Sequence, residues 1–116
     1  MTETVLWTNP SPNSSYDGNQ SITFESGFKF TDYDYIKIEY RPYSGYSNDI
    51  ILVSPENMSG SRKVNVGLGE RMSGWYTRPI ELEYPRYINI KSCYALASST
   101  KDDSLCVPIK VSGINL

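Results

Sequence analysis

Apolar side chains recur at every second position along much of this chain, in short runs cut by clusters of Gly, Pro, Asn, Asp and Ser. That period belongs to a β-strand, whose successive side chains point to opposite faces. Residues 35–40 are the cleanest case: Ile36, Ile38 and Tyr40 fall on one side, Tyr35, Lys37 and Glu39 on the other. Ile22 and Phe24 share a side within residues 21–26, as do Val64, Val66 and Leu68 within 62–68. Ile80, Leu82 and Tyr84 align within 79–84, after a stretch at 74–77 that carries Trp75 and Tyr76. Val5-Leu6-Trp7 reads as a short first strand. Residues 50–53 are continuously apolar, as for a strand buried on both faces. No window sets apolar residues at helical spacing behind a cap. About eight or nine short strands, with turn signals about every 8–12 residues, predict an all-β fold. The expected architecture is an antiparallel β-sandwich or jelly roll, residues 1–116 forming one domain.

The last two strands suggest a register. Ile88 and Ile90 share a parity with Tyr94 and Leu96, and Leu105, Val107, Ile109 and Val111 share another. Pairing them antiparallel with Ile90 opposite Ile109 sets Ile88 against Val111 and Tyr94 against Leu105. Cys93 then lies opposite Cys106, and a slip of one residue would break every match. Directly opposed cysteines meet the Cα separation of about 4.4–6.8 Å that a disulfide needs. Two free thiols are the other reading, since a protein made in a reducing cytosol keeps its cysteines reduced.

Composition excludes several classes of function. The net charge is −2, with 11 basic and 13 acidic residues well mixed, so no basic stripe offers itself to nucleic acid or to an anionic membrane surface. No apolar run approaches the roughly 18 residues of a spanning helix. The opening Met1-Thr2-Glu3-Thr4 lacks the basic start and apolar stretch of a signal peptide. The absence of histidine removes Ser-His-Asp and Cys-His nucleophiles and the commonest metal ligand. The carboxylate pairs Asp32/Asp34, Glu81/Glu83 and Asp102/Asp103 are the enzymatic option left, through glycoside hydrolysis. They read instead as solvated surface acids, with no ligand series for a metal. The expectation is a non-enzyme without cofactor.

Two loops carry the residue types of a contact surface. Residues 41–48 and 13–19 are rich in Tyr, Ser, Gly and Asn, which combine stiff aromatic area with adaptable hydrogen bonding. Loops of β-domains are commonly polar in any case. The candidate ligand-binding residues are Tyr16, Arg41, Tyr43, Tyr46 and Asn48. Tyrosine rings would pack against a sugar, and Asn and Arg would hydrogen-bond hydroxyls or phosphate. Trp7 and Trp75 read as core or inter-subunit packing. Asn13 and Asn57 stand in glycosylation sequons, which matter only in a secreted eukaryotic protein.

Three segments together resemble small structural proteins of tailed bacteriophages and prophages of Gram-positive hosts. Val5-Leu6-Trp7-Thr8-Asn9-Pro10-Ser11-Pro12 is similar to their opening "LW-N-(P/S)-x-P", and residues 33–41 to their "YDxIxIxYR" strand. Cys93-Tyr94 and residues 105–114 resemble the closing "CY … CxPxxIYGI", with Val111-Ser112 where the pattern has Ile-Tyr. Residues 54–78 carry no such likeness. The resemblance implies a virion component of the tail fibre, baseplate or head-decoration type. It further implies a β-sandwich in a homo-oligomer, a trimer above all, assembled in the host cytoplasm and exposed after lysis. Its partners would be other virion proteins and, for a tail-tip domain, host cell-wall polysaccharide. The alternative is a purely structural decoration or connector protein. A receptor binder predicts a concave, exposed aromatic cluster at one end of the sandwich; a decoration protein predicts a broad, flat apolar patch.

Overall fold

The structure is a computed structural model that describes residues 1–22, 24, 27–60, 62–71 and 74–116. Nine strands follow one another: β1 (Thr2–Thr8), β2 (Gln20–Ile22), β3 (Tyr35–Arg41), β4 (Asp49–Val53), β5 (Lys63–Glu70), β6 (Tyr76–Glu83), β7 (Tyr87–Ile90), β8 (Tyr94–Ala95) and β9 (Val107–Asn115). A single 3-10 turn, Phe30–Asp32, is the helical element among the described residues. The strands form two antiparallel sheets. One has the order β1-β9-β3-β4; the other has β2-β7-β6-β5, with the short β8 pairing the start of β6.

The alternation seen in sequence decides what lies between the sheets. Ile36, Ile38, Val53, Val111 and Ile114 face inward from the first sheet. Ile22, Leu68, Ile80, Leu82, Ile88 and Ile90 face them from the second. Each such aliphatic side chain contributes about 1.5–3 kcal/mol by leaving water. Phe24 meets Phe28 and Phe30 edge-on, Phe28 and Phe30 are tilted to each other, and the three close the core with centroids 5.1 to 6.0 Å apart. The all-β two-sheet fold thus agrees with the reading of the sequence.

The expected pairing of the last two strands does not form. β7 lies between β2 and β6, whereas β9 lies between β1 and β3 in the other sheet. The physical reason is plain. Two strands with matching apolar faces satisfy burial side by side in one sheet or facing each other across the core, and parity alone does not separate the two. Register breaks between Val5 and Trp7 and between Glu39 and Tyr40, the two neighbours of β9, turn Ile109 partly outward while Val107 and Val111 stay buried. Tyr94 and Leu96, expected beside Ile88 and Ile90, are exposed because the chain leaves β7 after Ile90.

Two further expectations change. The apolar run at 50–53 is not a doubly buried strand: β4 is an edge that pairs with β3 alone, and Ile50 and Leu52 are 55% and 56% exposed. The strands expected at 74–77 and 79–84 are one strand, β6. Of the strand expected at 21–26, residues 23, 25 and 26 lie outside the described residues, and β2 runs Gln20–Ile22.

Asn9 fixes the loop after β1. Its buried amide donates to the Pro108 carbonyl at 2.8 Å, its side-chain oxygen accepts from Ser11 N at 2.8 Å, and its own N–H reaches Ile109 O at 2.8 Å. The residues after Trp7 are thereby pinned to β9.

Candidate functional site

The ends of four strands meet on one side of the sandwich. From the first sheet come the end of β3 (Tyr40), the loop after it (Pro42, Tyr46, Ser47) and the start of β4 (Asp49). From the second come the end of β5 (Gly69, Glu70), Arg71, Trp75, and the start of β6 (Tyr76, Thr77), with Leu96 at the rim. Together they enclose an open cleft of about 720 Å³.

Its floor is a tie between the sheets: the Tyr40 hydroxyl donates to the Gly69 carbonyl at 3.0 Å. Burial, then the facing Asp49 carboxylate, raises this hydroxyl above the ordinary tyrosine value. One wall is Trp75, 53% exposed, on the turn from β5 to β6. Gly74 and Trp75 both have positive φ, 105° and 66°. A left-handed conformation at a bulky residue is uncommon, costs on the order of 1–3 kcal/mol and concentrates at binding sites. Here it turns the indole outward, and Leu96 N–H holds the turn through the Trp75 carbonyl at 2.8 Å. The Arg71 guanidinium lies 4.6 Å from the indole ring centre, a cation–π contact. The opposite wall is Tyr46, 53% exposed, whose ring meets Tyr43 edge-on at 5.5 Å. Tyr43 is half-buried against the core and props Tyr46 from behind. Glu70 is buried at the base and Asp49 exposed at the edge. The cleft thus offers broad aromatic faces with carboxylate and guanidinium groups at their margins.

The residues singled out in sequence are distributed over several places. Tyr46 lines this cleft. Arg41 and Tyr43 line a smaller pocket of about 340 Å³ on the other side of the same loop, with Asn13 and Ser15, so the two polar loops do converge there. Arg41 Nη1 donates to Pro12 O at 2.6 Å, tying one loop to the other. Asn48 points elsewhere, donating to Glu39 at 3.0 Å. Tyr16 stands apart from the cleft, edge-on to Trp7 at 6.3 Å and 5.9 Å from the Arg78 guanidinium. Trp7 packs against the core as expected; Trp75 does not belong to the core of the monomer. Trp75, Tyr76, Arg71, Tyr40, Asp49 and Glu70 were missed as site residues. The one sequence signal for them was an aromatic pair directly after a glycine, at a turn between strands.

The carboxylate pairs serve structure. Glu81 and Glu83 share Lys63, at 3.4 and 3.2 Å, and the Asn89 amide, at 3.1 and 2.7 Å. Asp103 accepts from Cys93 N–H at 2.9 Å and from Gly18 N–H at 3.3 Å. Asp102 accepts from Ser104 N–H at 3.0 Å. Among the described residues, no three Cys, Asp or Glu side chains converge as ligands of a metal would.

Cys93 and Cys106 are free, fully buried thiols brought together by a different route from the one expected. Cys93 follows β7 and Cys106 precedes β9, so they enter one core cluster from different sheets rather than lying across neighbouring strands. Compared with protein-family models, curated proteins and solved structures, the chain matches none.

Proposed function

We propose that this chain is a carbohydrate-binding β-sandwich module of a bacteriophage virion, engaging host-surface polysaccharide through the cleft between Tyr46 and Trp75. The observation that carries the binding reading is the pair of half-exposed aromatic rings on opposite walls of one concavity. Exposed apolar faces set beside charged groups suit a pyranose ring, which presents C–H faces and a rim of hydroxyls. The rings supply contact area, and Arg71 and Asp49 supply donors and acceptors to hydroxyls. The virion setting rests on the three sequence segments described above. Weak single sites would gain strength from repetition in an oligomer.

The test is a titration of the protein with isolated Gram-positive wall polysaccharide and with intact cells, read by tryptophan fluorescence and calorimetry. Saturable binding with a change in Trp75 emission is expected. A Trp75→Ala or Tyr46→Ala substitution should weaken it by about tenfold or more, about 1.4 kcal/mol or more of binding free energy. Equal binding by wild type and both variants, or none at millimolar sugar, overturns the reading.

A second reading has its own observation. Ile50 and Leu52 form an exposed apolar strip on the edge strand β4, and such an edge suits strand-to-strand association. A structural virion protein with subunit interfaces alone would use it.

A further inference from the structure

We propose that Cys93 and Cys106 are an oxidative modification site, at which a disulfide joins the two sheets beside the cleft. The pair is positioned by its main chain. Asp103 Oδ1 accepts from Cys93 N–H at 2.9 Å, and Asp102 N–H donates to Cys93 O at 2.9 Å. Arg78 Nε donates to Cys106 O at 2.9 Å, and Cys106 N–H reaches Pro42 O at 3.1 Å. Arg78 and Asp103 themselves approach to 3.7 Å. One ion pair therefore holds both cysteine backbones, and both side chains lie in the same core cluster with no exposed surface.

The two thiols lie close enough to shift one another: contact with Cys106 draws the Cys93 thiol below its ordinary value, and Cys93 together with burial pushes Cys106 up. The nearby Arg78 charge favours a thiolate at Cys93 and at Cys106 alike. With a peroxide as oxidant, the Cys93 thiolate attacks a peroxide oxygen, the O–O bond breaks, and Cys93 becomes a sulfenic acid while the leaving hydroxide takes up the proton the thiol gave up and departs as water. The Cys106 sulfur then attacks the Cys93 sulfur, the S–O bond breaks, and a second water leaves with the remaining proton. Two thiols and one hydrogen peroxide give one disulfide and two waters. The oxidant reaches the pair when the exposed segment 96–101, which separates the two cysteines, opens away from the body.

The bond would form in an oxidising medium and not in a reducing cytosol. Its closed loop is short, so it would raise Tm by about 10 °C.

The experiment treats the folded protein with hydrogen peroxide or oxidised glutathione, blocks residual thiols, and maps peptides by mass. Expected are a mass lower by two hydrogens, a linked Cys93–Cys106 peptide, and a rise in Tm reversed by dithiothreitol. Cys93→Ser and Cys106→Ser variants should lack the linked peptide and the rise in Tm. A Cys93→Ala/Cys106→Ala variant serves where serine is not tolerated. Thiols that stay free both in the folded protein and after refolding with oxidised glutathione overturn the proposal. So does linkage only between separate chains, or a disulfide that lowers Tm.

Discussion

Arg78 is the residue on which most of the irregular chain depends. It has no exposed surface, and all of its donors are used on backbone carbonyls. Nε reaches Cys106 O, Nη1 reaches Tyr16 O and Lys91 O, and Nη2 reaches Asp103 O and Leu105 O, at 2.9 to 3.0 Å. Burial pulls the guanidinium below the usual arginine value, while Cys93 and Asp103 work against that pull. Arginine nevertheless stays charged in proteins, and its planar fork explains why no lysine could replace it. The loops around 16, 91 and 103–106 lack strand partners at these carbonyls, and one side chain satisfies them. An Arg78→Met substitution leaves those carbonyls without their donor inside the fold and takes from the Asp103 carboxylate its buried ion-pair partner. A loss of about 3–5 kcal/mol is expected, seen as a lower urea midpoint at unchanged slope. Arg78→Lys should recover only a small part of it. This residue is not among those singled out in sequence, although it falls on the parity of Ile80 and Leu82, the inward face of β6, where a charge interrupts the apolar alternation. Trp75 was hidden for the converse reason, since a large apolar side chain is read as core until a backbone turn aims it outward.

Strand identity was legible because alternation is local; strand partnership was not, because it is global. β3 shows this best. Its residues alternate without exception in sequence and in burial. By contrast, the run at 50–53 reads as doubly buried, yet it forms an edge whose outer side chains meet water. Apolar side chains on both faces of a strand signal either burial or a surface awaiting a neighbour, and sequence does not distinguish them. That ambiguity becomes a prediction. Ile50→Lys with Leu52→Lys should change monomer stability by about 0.5 kcal/mol or less, since both side chains are already in solvent. If β4 is where copies associate, sedimentation of the same variant should show a smaller species than wild type at equal concentration. An unchanged mass, with wild type oligomeric, assigns association to another face.

At the scale of the whole molecule, the Tyr40 hydroxyl is a polar contact that joins the two sheets at the cleft. Tyr40→Phe should cost about 1 kcal/mol near neutral pH, the ordinary worth of a hydrogen bond. The cost depends on pH in a defined direction. Because folding raises the Tyr40 value, the hydroxyl contributes fully below the unfolded tyrosine value of about pH 10. Above it the unfolded chain ionises first, and stability is lost as pH rises through the folded value. Tyr16, also raised by burial though opposed by Arg78, acts in the same sense. Urea midpoints measured from about pH 8 to about pH 11 should therefore fall more steeply for wild type than for Tyr40→Phe, and the gap between them should narrow. A gap that widens would contradict the assignment.

The way β3 and β9 run has a practical meaning for how the molecule is held. Thr2 pairs with Asn115, and Tyr35 pairs with Ile114, so both termini emerge where β3 begins. Tyr40 and Arg41, where β3 finishes, belong to the far end, beside the cleft. A tether fixed to either terminus, whether a sensor surface, a fused domain or a larger particle, leaves the aromatic mouth pointing away from its support.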